Sequence, residues 1–136
     1  MTRALTLAAQ CGVDVRIITP GIPDKKLVYS LTRSYYHNLV RCGVRVYEYT
    51  PGFVHAKMSV TDDVLATCGT INLDYRSLYH HFENGCLYYG CDAVMDTKAD
   101  FEWMFEQGKE VTEDYINPVG AVRFWYLILR LAAPMM

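Results

Sequence analysis

The chain has 136 residues, of which 51% are hydrophobic, and a formal net charge of −2. That length and apolar content suit one domain around a single core and leave no room for a second. The slightly acidic balance excludes a broad basic footprint for nucleic acid, which is bound mainly through Lys and Arg; a small local basic site stays open.

Met1-Thr2-Arg3 leads straight into an alanine-rich helical pattern, so no signal peptide is expected. Ala4 to Gln10 reads as the last turns of a helix stopped at Gly12, and so abrupt a start implies missing sequence upstream. Val13 to Ile18 alternates with β-branched residues and predicts a strand. The loop Thr19-Pro20-Gly21-Ile22-Pro23 follows, and Asp24 is placed to cap a helix from Lys25 to about Arg41, with Leu27, Leu31, Leu39 and Val40 at helical spacing. Tyr35, Tyr36 and His37 on that helix read as packing residues. Gly43 ends it, and Val44 to Tyr49 predicts a second strand, in a strand–helix–strand order that implies a parallel crossover. Pro51-Gly52 is a turn. Phe53 to Thr61 predicts a strand, Asp62-Asp63 a two-residue turn, and Val64 to Cys68 the returning strand. Gly69 to Asn72 is a loop and Leu73 to Tyr79 one helical turn; Phe82 to Tyr89 is a further strand with a bulge at Asn84-Gly85. Ala93 to about Glu110 is an amphipathic helix, and Asn117-Pro118 opens a last one running to about Ala132. The fold class predicted is α/β: a mixed β-sheet flanked by helices.

The five cysteines (Cys11, Cys42, Cys68, Cys86, Cys91) are odd in number, scattered and without a C-x-x-C pair. They read as reduced thiols of a cytosolic compartment, mostly buried as small apolar groups, and their spacing provides no zinc site. The most apolar stretch, Val119 to Met136, is interrupted by Arg123 and Arg130 and makes a poor membrane span, so this segment is expected to be soluble. Those two arginines suit solvation or a contact with missing sequence better than lipid headgroups.

The chemistry concentrates in Phe53 to Glu83. His55 and Lys57 are two residues apart on an extended segment, so their side chains share a face. An imidazole beside an ammonium suits attack or protonation with neutralisation of a phosphate oxygen. His55-Ala56-Lys57 with Asp62 resembles the H-x-K-x-x-x-x-D signature of the phospholipase D superfamily, and Gly69-Thr70-Ile71-Asn72 the G-S-x-N run that follows it, with Thr for Ser. The run Asn72-Leu73-Asp74-Tyr75-Arg76-Ser77, the position of Glu83, the segments around Val13 to Ile17 and Gly43 to Tyr49, and Arg130-Leu131 with Ala133 to Met136 resemble the second half of the cardiolipin synthase branch. His81 departs from the Asn more usual there.

The resemblance implies a single phospholipase D-like catalytic domain over residues 1–136, half of a longer enzyme with two such motifs. It implies phosphodiester exchange through a phosphohistidine, forming cardiolipin and glycerol from two molecules of phosphatidylglycerol, an anionic phospholipid. It implies no cofactor and no metal, a second phospholipase D-type motif from a missing half or a second copy, no nucleic acid, and action at the cytoplasmic face of the cell membrane. Carried onto this chain, the catalytic residues are His55, Lys57, Asp62 and Glu83, and the substrate-binding residues Gly69, Thr70 and Asn72. Asp62 equally suits a structural turn. Asn72 suits phosphate binding or a cap, and Glu83 suits fixing the tautomer of His55 from its far nitrogen. A single-motif nuclease acting as a homodimer, or an inactive folded fragment, are the competing readings.

Overall fold

The computed structural model describes residues 1–23, 25–117 and 125–130. Strand β1 (Arg16–Pro20) and strand β2 (Arg45–Tyr49) run parallel, with Ile17 opposite Val46 and Ile18 opposite Tyr47. Helix α1 (Thr2–Gln10) precedes them and helix α2 (Lys26–Val40) connects them, the strand–helix–strand order expected. Gly43 ends the turn after α2 with φ of +91°, which a side chain would resist, while Val44 N–H donates back to Leu39 O at 3.2 Å. Tyr36, Leu39 and Val40 of α2 pack on Val44, Val46 and Val111, all buried, with Leu5 and Ala9 of α1 against the cluster. Burial of each such aliphatic side chain contributes about 1.5–3 kcal/mol. Tyr36 is a core residue and His37 Nδ1 lies 3.1 Å from Tyr115 O, so both serve packing, as their positions suggested.

A second sheet is an antiparallel meander of β3 (Met58–Thr61), β4 (Leu65–Gly69) and β5 (Gly85–Tyr89). Its first hairpin turns on Asp62 and Asp63, both with positive φ (52° and 57°), closed by Val64 N–H to Thr61 O at 3.1 Å. Paired positive φ values match the strand twist, but Thr61 stands opposite Leu65, so the connection is Asp62, Asp63 and Val64, one residue longer than the two expected. Helix α3 (Tyr75–Tyr79) lies between β4 and β5, and helix α4 (Asp92–Gln107) touches strands of both sheets. The chain leaves helical geometry at Gly108, short of the Glu110 expected, and Lys109–Glu110 (β6) pairs antiparallel with β2. Glu113–Tyr115 is a turn of 3₁₀-helix, and residues 125–130 are helical.

The α/β class with mixed strand pairing stands, but the strands divide between two three-stranded sheets, β1-β2-β6 and β3-β4-β5. The largest boundary differences are at three strand starts. Val13 to Val15 lies outside β1; β3 starts at Met58 instead of Phe53, and β5 at Gly85 instead of Phe82. β4 leaves the ladder at Gly69, so nothing remains to pair with residues before Lys57, whose carbonyl accepts from Gly69 N–H at 3.1 Å. His55 and Lys57 therefore lie on the lead-in to an edge strand, not within a central one. No bulge interrupts Asn84-Gly85: Gly85 stands opposite Gly69, and Thr70 N–H donates to Asn84 O at 2.8 Å. The cysteines are not core residues either: four are exposed and Cys42 is half-buried. The Asp24 cap, the helix start at Pro118, Arg123 and the carboxyl end fall outside the described residues.

Arg130 is within them: it donates to Ser34 O and its guanidinium lies 5.0 Å from the Tyr35 ring centre, a contact within this chain. Among the described residues no helix is long and apolar enough to cross a membrane.

Candidate active site

Pro51-Gly52 turns the chain out of β2, and Phe53 to Lys57 then lead into β3. The Phe53 ring stacks on the His55 imidazole, centroids 5.8 Å apart at 23°, which holds the exposed ring over the lead-in. Lys57 Nζ reaches back to His55 Nδ1 at 2.8 Å and to His55 O at 2.7 Å. The shared face inferred from spacing is thus a direct contact. An ammonium only donates, so Nδ1 accepts and the proton of a neutral His55 sits on Nε2.

His55 and Lys57 line a cavity of about 170 Å³ with Asn72. Its other walls are apolar: Ile18 and Pro20 from the end of β1, Val54 and Met58, and Phe101 and Met104 from α4. The site therefore lies where the two sheets and α4 meet. Three polar side chains converging on an apolar concavity, one of them a lysine, fit a phosphate ester with an apolar body.

The loop 69–72 is set by close approach. A β-carbon on Gly69 would stand 2.3 Å from Asn84 O and 2.6 Å from Gly85 Cα, so its first role is to let β4 and β5 meet. Thr70 then clamps the strands: its hydroxyl donates to Glu83 Oε2 at 2.5 Å and accepts from Asn84 N–H at 3.0 Å. The Thr70 hydroxyl, then that of Ser77, holds the Glu83 carboxyl below the usual carboxylate range; the charges of His81 and Lys57 add to this. Its other oxygen is 3.9 Å from His81 Nδ1. Glu83 is thus engaged by Thr70, Ser77 and His81, while the Nδ1 of His55, where a tautomer-fixing carboxylate was expected, is taken by Lys57.

Asp62 is set apart from this group. It sits at the hairpin tip, at the far end of β3 from Lys57, and its left-handed backbone makes it a turn residue. Neighbouring Asp63 pairs with Lys98 of α4 at 2.6 Å. Ser77 is the residue that sequence reasoning missed. It is buried, its N–H donates to the capping Asp74 carboxylate at 2.7 Å, and its hydroxyl accepts from Asn72 Nδ2 at 3.3 Å. Asp74 three residues before Ser77 is a helix-cap spacing, and that was the available signal. Among the described residues, no three of His, Cys, Asp and Glu stand in metal-binding geometry.

Comparison with known proteins places this geometry. The family described as cardiolipin synthase, PLD-like domain, matches residues 1–105. An uncharacterised protein of Streptococcus mutans is 47% identical over 137 residues, covering 100% of this chain and 30% of that protein. A cardiolipin synthase of Halalkalibacterium halodurans is 37% identical over 134 residues, covering 98% of this chain and 27% of that protein. The chain thus spans less than a third of the length of these relatives. Among solved structures, the phospholipase D family member Nuc from Salmonella typhimurium superposes with a TM-score of 0.71 over 80% of this chain and 71% of that one. At 17% sequence identity, that likeness speaks for the fold alone. The chain belongs to the cardiolipin synthase, PLD-like domain family.

Proposed function

We propose that this chain supplies one catalytic half of a phospholipase D-type phosphatidyltransferase that forms cardiolipin and glycerol from two molecules of phosphatidylglycerol. The supporting observation is the convergence of His55, Lys57 and Asn72 on one cavity whose remaining walls are apolar. In the first step an imidazole attacks phosphorus and the bond to glycerol breaks, leaving a phosphohistidine. In the second, the free glycerol hydroxyl of another phosphatidylglycerol attacks that phosphorus and releases the imidazole. His55 takes one of two roles, attack on phosphorus or protonation of the departing oxygen. A second imidazole, from the remainder of a longer protein or from a second copy, takes the other.

Lys57 has two positions in this scheme. Without an anion it is satisfied by His55. A bound phosphate oxygen attracts the ammonium more strongly than a neutral ring nitrogen, so Lys57 turns to the phosphate and frees Nδ1. Asn72, oriented by Ser77, donates to a second phosphate oxygen; Thr70 and Glu83 hold the loop that carries it. In the complete protein the site works at the cytoplasmic face of the cell membrane.

The test is cardiolipin formation from phosphatidylglycerol vesicles by the chain joined to a first-motif half. The intact site gives product, Cys68→Ser leaves activity unchanged, and His55→Ala lowers it to background. Activity surviving the His55 change refutes the assignment; cleavage of DNA in place of lipid transfer favours the nuclease reading.

A further inference from the structure

Cys68 on β4 and Cys86 on β5 are directly opposite in the antiparallel ladder, and both are exposed. The ladder alternates. Thr70 N–H donates to Asn84 O at 2.8 Å and Gly90 N–H to Val64 O at 2.9 Å, so the pairs in register with these two, Cys68–Cys86 among them, are the hydrogen-bonded kind. Such pairs have Cα atoms about 5.5 Å apart, inside the roughly 4.4–6.8 Å that a disulfide spans. The adjoining pair draws the strands closer still, since a β-carbon on Gly69 would stand 2.6 Å from the Gly85 Cα. Directly opposed side chains leave the pleat on the same face, so the two sulfurs emerge together.

A third thiol is nearby but differently placed. The Tyr88 phenol is pushed above its ordinary range, first by the charge of Cys86, then by burial, with Cys68 and Cys91 also contributing. Cys91 precedes α4, beyond the end of β5, and has no cysteine across the ladder. Cys11 and Cys42 belong to the other end of the molecule, at the ends of α1 and α2.

We infer that Cys68 and Cys86 form a reversible modification site, a dithiol that hydrogen peroxide closes to a cross-strand disulfide. One thiolate attacks a peroxide oxygen; an S–O bond forms, the O–O bond breaks, and the released hydroxide takes a proton to become water. The second thiol then attacks the resulting sulfenic sulfur: the S–S bond forms, the S–O bond breaks, and its proton leaves with the departing hydroxide as a second water. The two sulfurs together lose two electrons, and peroxide is reduced to two waters. The bond staples β4 to β5 one residue before the Gly69-Thr70 loop, on strands already in register. Closure therefore needs no register shift, only side-chain rotation and a small approach of the two β-carbons, which lie about 5.5 Å apart in such a pair.

The experiment is thiol mapping on the purified chain. It is treated with peroxide equimolar to its thiols, quenched by alkylation, digested and analysed by mass spectrometry, in buffer and again in 8 M urea (about full denaturation). In buffer, Cys68 and Cys86 are lost together from the alkylatable thiols and reappear as one linked peptide pair that dithiothreitol separates. Cys91→Ser does not alter this. Cys68→Ser or Cys86→Ser abolishes the link and leaves the remaining thiol to form sulfenic or sulfinic acid. In urea the preference for this pair disappears. Three results each overturn the proposal: loss of Cys68 and Cys86 no faster than Cys11, a link to Cys91 or to another chain, or the same pairing in urea.

Discussion

Strand β2 buries Val46, Tyr47 and Glu48, whereas β5 leaves Leu87 67% and Tyr89 75% exposed. The contrast extends to the elements around them. The first sheet carries the continuous apolar cluster with α2, and a bidentate Arg33–Glu48 pair at 2.9 and 2.7 Å closes it. The second buries little beyond Ala66, and its flanking loop exposes Leu73, Tyr79 and Phe82. One sheet packs into the apolar cluster; the other presents the proposed chemistry beside exposed apolar side chains. That surface is where the proposed second half, or a second copy, has apolar area to cover. The division explains why a chain less than a third as long as its relatives still has a core.

The comparison predicts that activity and stability respond to different residues. The largest effect is expected at the site. In the completed enzyme His55→Ala removes an imidazole role and lowers cardiolipin formation by about a hundred- to ten-thousand-fold or more. Lys57→Ala costs about a hundred- to thousand-fold. Neither moves the urea midpoint appreciably, because His55 is exposed and Lys57 half-exposed at the edge of the fold. A large loss of stability in either variant would break the distinction between the two regions.

The scaffold should respond in the opposite sense. Arg33→Leu leaves the Glu48 carboxylate buried without its cation and destabilises by about 3 kcal/mol; the Arg33 side chain is 31% exposed and Glu48 only 7%. Val46→Ala opens a void in the cluster and costs about 2 kcal/mol, while Leu87→Ala stays within about 0.5 kcal/mol. Urea denaturation of both variants sharpens the comparison, and equal costs would contradict it.

The smallest effect is electrostatic. Asp14 receives Arg16 and Arg45, whose hydrogen bonds hold its carboxyl down to about 2 from an ordinary 3.8. A depressed carboxyl contributes stability above its unfolded value and loses it as pH falls through the folded one. The window therefore runs from about pH 4 down to about pH 2. With the Asp14 side chain 54% exposed, solvent screening limits the contribution to about 1 kcal/mol. Asp14→Asn should flatten that part of the stability–pH profile.

Much of this was readable from local pattern. The Asp62-Asp63 turn, the β1–α2–β2 order and the His55–Lys57 contact follow from turn chemistry, alternation and period two, which act over a few residues. What was not readable depended on partners distant in sequence. β6 exists because β2 offers it an edge, β3 is shortened because β4 turns away at Gly69, and Glu83 is engaged by Thr70 and Ser77. The cysteines were misjudged because burial of a small apolar residue is an average tendency, and here the sheet carrying Cys68 and Cys86 is covered on only part of its surface.

The claim on which the account turns is that one imidazole does not complete the site. An ammonium is a poor substitute acid, because it holds its proton far more tightly than an imidazolium does. The most direct measurement is phosphatidyl transfer by the purified chain over a range of concentrations, with sedimentation of the same samples. The account predicts negligible transfer wherever the chain is monomeric, and transfer that rises only with the fraction in twofold dimers or on addition of a first-motif half. A strictly monomeric chain that forms cardiolipin at the rate of the completed enzyme would contradict it.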